Sequence, residues 1–219
     1  MKIAIVIPAY NEEESITHLL KQFNDFPRGN IIVVDDGSTD GTSSVVEHTQ
    51  IILLKHKKNK GKGMAHRTAF EYARKNGFGG VITMDADGQH KPEEIENFVK
   101  KKDSADILIG TRRMTTKNMP LVRYLTNRIT SLTVSLIASQ RIFDSQSGFR
   151  YISRRVFEKV PLKTERFQTE SEILIKAGRM GFKIGAVSIS TIYQKEKSYI
   201  NPFIDTYRFI NLAVRSLFE

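Results

Sequence analysis

The sequence predicts an α/β fold: a mostly parallel sheet flanked by helices. Short apolar runs alternate with helical segments from the first residue onward. The runs are of strand length and read as buried strands. Each of the first four ends in polar or turn-forming residues, where an open α/β sheet gathers its ligands.

The elements follow in order. Residues 3–7 form a buried strand closed by Pro8. A helix opens at 11–15, with Ile16, Leu19, Leu20 and Phe23 at helical spacing and acidic residues in the first turn, where the helix dipole favours them. Residues 31–34 are the second strand, ending in the turn-rich loop Asp35-Asp36-Gly37-Ser38-Thr39-Asp40-Gly41, and a short helix follows. Residues 51–54 are the third strand. Gly61-Lys62-Gly63 leads into a helix carrying Ala65, Ala69, Tyr72 and Ala73, and 81–84 are the fourth strand. After a fifth strand at 106–110 the rhythm changes. A long helix runs to Ala138, and residues 144–150 lead into a short strand or turn. A helix opens at 167–172, runs to Arg179 and stops at Gly181. Residues 184–189 alternate like a strand, and Asn201-Pro202 starts a last helix, 203–217.

The chain has 219 residues, 40% of them hydrophobic, enough for one domain over 1–200 with a C-terminal amphipathic helix over 201–219. With no cysteine, disulfides and thiolate zinc sites are excluded, which agrees with a reducing, cytoplasmic setting. No signal peptide is visible and no run is long enough to span a bilayer. The net charge of +10 fits phosphorylated substrates, an anionic membrane or nucleic acid. The lysine runs at 55–62 and 100–102 read as solvated surface. They lack the interleaved aromatics that nucleic-acid binding calls for.

The chemistry concentrates after the fourth strand, in Asp85-Ala86-Asp87-Gly88-Gln89-His90. Two carboxylates one residue apart, with the Gln89 amide as a third oxygen donor, suit Mg2+ or Mn2+. Such a cation serves a diphosphate substrate, whose departing charge it neutralises. His90 reads as a turn neighbour rather than a ligand.

Six blocks in register resemble the family 2 glycosyltransferases of the GT-A fold, and most closely the dolichyl- and undecaprenyl-phosphate sugar transferases. They are Ile-Pro-Ala-Tyr-Asn-Glu-Glu at 7–13, Val-Val-Asp-Asp-Gly-Ser-Thr-Asp at 33–40, Asn-Lys-Gly-Lys-Gly at 59–63, residues 85–90, Gly110-Thr111-Arg112, and Asp144 with Ser147-Gly148-Phe149-Arg150. The resemblance implies a nucleoside-diphosphate sugar donor of the GDP-mannose or UDP-glucose type, a divalent metal, inversion at the anomeric carbon and a polyprenyl phosphate acceptor. It implies Pro8, Tyr10, Glu12 and Asp36, with Asp35 as alternative, around base and ribose, and it sets Lys62 beside the donor. Asp85, Asp87 and Gln89 fall on its metal positions, and Asp85 also faces the nucleotide. Arg112 and Arg123 match its acceptor arginines, whose guanidinium forks suit phosphate. Asn127, one turn beyond Arg123, shares that face, and Ser147 and Arg150 are expected in the acceptor pocket, with Phe149 either there or in the core. Asp87, Arg112 and Arg123 are the expected catalytic residues.

Two features depart from the family. Its closing arginine block is replaced here by residues 193–198, where Lys195 or Lys197 is expected at the donor phosphate. Many members continue into membrane-spanning helices, whereas this sequence ends at Glu219. The last helix carries an apolar stripe of Phe203, Tyr207, Ile210, Val214 and Leu217, suited either to packing on the catalytic domain or a second subunit, or to the bilayer interface at the inner face of the cell membrane.

Two other readings are carried. A hydroxyl acceptor would need a general base, for which only Glu170 and Glu172 are unassigned, although both suit a helix dipole. A non-catalytic nucleotide- or nucleic-acid-binding module would have little use for an intact Asp85, Asp87 and Gln89 set.

Overall fold

Strand β1 (Ile3–Ala9) has neighbours on both sides, β2 (Ile31–Asp35) and β4 (Gly80–Thr83), both parallel to it. The computed structural model describes residues 1–23, 26–112, 121–190 and 202–218. Strand β3 (Ile52–Lys55) lies outside β2 as a parallel edge. On the other side come β6 (Arg150–Ser153), β5 (Ile107–Arg112) and β7 (Ile184–Ile189), giving the order β3-β2-β1-β4-β6-β5-β7. The short strand or turn expected after residue 150 is therefore an interior strand. β6 runs antiparallel to both β4 and β5, the one reversal in this sheet.

Side chains alternate across β1. Ala4 and Val6 enter one core, Ile3, Ile5 and Ile7 the other. The first core is closed by α3 (Lys62–Lys75), α5 (Leu121–Ala138), α6 (Arg154–Lys159) and α7 (Thr169–Arg179), through residues such as Ala69, Val134, Val156 and Leu174. The second is closed by α1 (Glu13–Lys21), α2 (Thr42–Glu47) and α4 (Ile95–Lys101), through Leu19, Val46 and Phe98. Each such fully buried side chain contributes about 1.5–3 kcal/mol. Cover on both faces explains why the strands of the first half are continuous apolar runs. Helix α8 (Pro202–Phe218) lies against α5 and α7, with Phe209 and Leu212 turned to the first core.

The parallel pairing brings the carboxyl ends of β1, β2 and β4 to one edge. Ala9 pairs with Asp35, and the Met84 N–H donates to Val6 O at 2.9 Å.

Candidate active site

The loops at that edge are stitched to one another. Asn11, with φ of 54°, takes a left-handed conformation that asparagine tolerates. Its N–H donates to Ser38 Oγ at 2.9 Å, and its Oδ1 accepts from the Thr39 N–H at 2.8 Å. The Glu12 N–H donates to Thr42 Oγ1, and Glu13 Oε2 accepts from the Gly41 N–H. Pro8, Tyr10 and Glu12 are half-buried along this seam. Glu12 stands at the residue before α1, so its backbone serves the helix start.

The aspartate pair anchors this scaffold. Asp36 is 3% exposed. Its oxygens accept the N–H groups of Lys60 and Gly61 at 2.9 and 2.7 Å, and His56 Nδ1 lies 2.6 Å from Oδ1. Asp35 accepts the Ser38 N–H at 2.8 Å and the Ser43 hydroxyl. Both carboxylates thus fix the wall around the expected base and ribose pocket and tie it to the start of α3. Gly61 makes that start possible. Its φ is +95°, and a Cβ there would fall 2.6 Å from Glu165 O.

Lys62, the first residue of α3, points into the edge. Its Nζ is 2.6 Å from Asp85 Oδ1 and 2.5 Å from Glu170 Oε1. Burial would lower the Lys62 pKa, but the two carboxylates outweigh it and hold the ammonium well above its usual range. Burial likewise opposes the charged form of Asp85, and the Lys62 charge overcomes it, keeping the carboxyl below the usual range. Asp87, half-buried two residues on, accepts the Gln89 N–H at Oδ1, 3.0 Å away, and this fixes the turn. Gln89 is half-buried beside it. His90 is buried and packs on Phe149 with ring centroids 5.0 Å apart. Phe149, 0% exposed, belongs to the core as well.

The donor set fits a hard divalent cation in part from the protein and in part from a ligand. Asp85 is already paired with the Lys62 ammonium through Oδ1, so a metal there would share a carboxylate with one resident cation. Among the described residues no three His, Cys, Asp or Glu side chains converge as a closed cage. Two carboxylates, an amide, water and phosphate oxygens would complete the shell that Mg2+ or Mn2+ takes with nucleotides.

The acceptor side is altered by what the structure describes. Arg150 was expected in the acceptor pocket. It is 2% exposed, and its guanidinium donates to the carbonyls of Ser147, Glu170 and Ser145 at 2.7, 2.6 and 2.8 Å. That geometry makes it a buried strut between the 145–149 loop and α7. Ser147, 1% exposed, is part of the same buried loop. The loop approaches Asp85 closely: a Cβ on Gly148 would meet Asp85 Oδ2 at 2.5 Å. Asn127 is 9% exposed on α5. Arg112 ends β5 and Arg123 lies in the first turns of α5, but their side chains, and all of Lys195 and Lys197, lie outside the described residues.

Sequence reasoning set Glu170 and Glu172 aside as dipole residues. Glu170 is instead the second partner of Lys62. Glu172, 1% exposed, receives the N–H groups of Lys163 and Thr164, the Thr164 hydroxyl and Lys176 Nζ. It anchors the 163–164 turn. His66 was missed altogether. It lies one turn below Lys62 on α3, 5% exposed, and burial followed by the Lys62 charge takes its pKa down to about 3. Its helical spacing from Lys62 was the only signal available. Beneath it is a cavity of about 20 Å³ lined by Thr83, Glu170 and Arg150 among others, room for one water.

The chain has recognisable relatives among known proteins. Residues 4–161 match the description "Glycosyl transferase family 2". The chain is similar to a UDP-N-acetylglucosamine–dolichyl-phosphate N-acetylglucosaminyltransferase of Methanococcus voltae, 34% identical over 87% of this chain and 86% of that one. It is also similar to a polyprenol monophosphomannose synthase of Mycolicibacterium smegmatis, 28% identical over 85% of this chain and 76% of that one. Among solved structures, glucosyl-3-phosphoglycerate synthase of Mycobacterium tuberculosis in complex with UDP shares the fold. The TM-score is 0.79 at 17% identity, covering 98% of this chain and 79% of that one.

Proposed function

The chain belongs to glycosyl transferase family 2, and from that premise we propose that it transfers a hexose-class sugar from a nucleoside diphosphate to a polyprenyl phosphate. The reaction depends on Mg2+ or Mn2+ and inverts the anomeric carbon. The Lys62–Asp85 ion pair at the carboxyl end of β4, with Asp87 beside it, is the observation that carries the reading. It sets one cation and two hard carboxylates where a diphosphate would lie. Two relatives are named for polyprenyl or dolichyl phosphate, and a fold neighbour was solved with Mn2+ and UDP-glucose.

Asp85, Asp87 and Gln89 would hold the metal, whose chemistry when bound is to stabilise the charge of the leaving nucleoside diphosphate. Lys62 would contact the same phosphates and orient them. Pro8, Tyr10 and Glu12, on the wall fixed by Asp35 and Asp36, would hold base and ribose. Arg112 and Arg123 would hold the acceptor phosphate. That oxygen is already anionic near neutral pH, so no residue has to remove a proton from it. Glu170, the carboxylate otherwise available as a base, is ion-paired with Lys62, which favours a phosphate over a hydroxyl acceptor.

No described helix is long and apolar enough to cross a membrane. The protein would meet its lipid from the membrane surface, on the inner face of the cell membrane. Asp87→Ala tests the metal half. It should abolish transfer to polyprenyl phosphate while thermal unfolding stays within a few degrees of the unsubstituted protein. Full activity of that variant in EDTA would overturn the assignment.

A further inference from the structure

Asp85 Oδ1 is 2.6 Å from the Lys62 ammonium, and the same carboxylate is the first metal position of the proposed site. One carboxylate then serves two cations. Lys62 is also held by Glu170 at 2.5 Å, on a different helix, so it does not depend on Asp85 to stay in the site. The three groups are well shielded, with side-chain exposures of 17% for Lys62, 25% for Asp85 and 11% for Glu170. Shielded charges repel and attract more strongly than surface ones. A divalent cation arriving alone would have to share Asp85 with the ammonium, or displace it at the cost of an ion pair. A diphosphate changes that balance because it offers Lys62 a second anion within the same edge.

We infer that Lys62 is a latch that competes with the metal for Asp85 and is drawn onto the diphosphate when metal and nucleoside diphosphate arrive together, with Glu170 as the positioning residue that tethers it. The inference rests on the metal reading above and adds an order to it. Metal alone binds weakly, and metal and nucleoside diphosphate bind cooperatively. Coupling between two ligands is reciprocal, so each strengthens the other by the same factor. A lysine that never moved would repel the metal equally with and without nucleotide and would add nothing to that factor.

The test measures Mn2+ binding by the electron paramagnetic resonance of the free ion, without nucleotide and with saturating UDP or, in parallel, GDP. Lys62→Gln should tighten Mn2+ binding alone by about five- to tenfold, within the usual range of site coupling. In the same variant the enhancement by nucleotide should fall by a similar factor, leaving the part that the phosphate oxygens supply as metal ligands. Glu170→Gln, which leaves Lys62 wholly on Asp85, should weaken Mn2+ binding alone, so the two neutral variants move in opposite directions. Unchanged or weaker Mn2+ binding in Lys62→Gln would overturn the latch, as would an undiminished nucleotide enhancement. Asp87→Ala separates the two levels. If it leaves nucleotide-supported Mn2+ binding intact, the metal site itself is wrong and the latch falls with it. If it abolishes that binding while Lys62→Gln behaves as the unsubstituted protein, only the latch fails.

Discussion

His66 lies beneath Lys62 with its imidazole kept neutral, by burial first and by the Lys62 charge second, down to about pH 3. In the unfolded chain a histidine titrates near 6.5. Its folded pKa is depressed, so the unfolded state binds the proton first as pH falls. The stability from His66 is therefore complete above about pH 6.5 and drains away as pH drops toward 3, by up to about 1.4 kcal/mol per unit. From pH 7 to 5 the expected loss is about 2 kcal/mol. Asp85 and Glu172 are held below the usual carboxylate range and change protonation at lower pH, outside this window. Urea unfolding at pH 7 and pH 5 should show that loss in the unsubstituted protein and a flatter response in His66→Gln. Equal slopes for the two would mean that His66 is protonated or solvated in the fold. At this scale the sequence was only partly readable. Asp85 and Asp87 could be read because their spacing and the strand before them are local. Arg150 could not, since three carbonyls from 145, 147 and 170 decide that it is a strut. The same holds for Glu170, whose partner belongs to another helix.

Two helices show how an amphipathic pattern divides between core and surface. On α8, Phe209 and Leu212 pack on the core, while Tyr207, Ile210 and Val214 of the expected stripe stay exposed at 69%, 54% and 49%. On α5, which touches α8, Leu125, Ile129, Leu132 and Leu136 are exposed at 48%, 65%, 61% and 72%, at spacings of four, three and four residues. The charged residues of α5 are Arg123 and Arg128, with no carboxylate among its eighteen residues. Two exposed apolar stripes with basic neighbours match a peripheral helix pair on an anionic bilayer. The protein should sediment with anionic vesicles at low salt. Salt should weaken that binding, as should Ile210→Asp combined with Leu132→Asp. A protein that stays in the supernatant at low salt would show that these stripes serve another contact. The periodicity of α8 was clear in the sequence, but which of its apolar residues face inward depends on α5 and α7.

For the whole molecule, the strands and the long helices could be read from apolar runs because the sheet is covered on both faces. β6 could not be placed. It is four residues long, and its antiparallel position between β4 and β5 is a long-range pairing that no local pattern encodes. The edge formed by β1, β2 and β4, where the donor half of the site is proposed, followed directly from the parallel order. The proposed acceptor half rests on Arg112 and Arg123, whose side chains lie outside the described residues. The most direct test of the whole account is one transfer assay. Purified protein, Mn2+ and a radiolabelled UDP- or GDP-sugar are incubated with polyprenyl phosphate, and in parallel with the matching polyprenol lacking phosphate. The account predicts label in the lipid extract only with polyprenyl phosphate, abolished by EDTA. Equal transfer to the free polyprenol, or transfer to a sugar hydroxyl with none to the lipid phosphate, would contradict it.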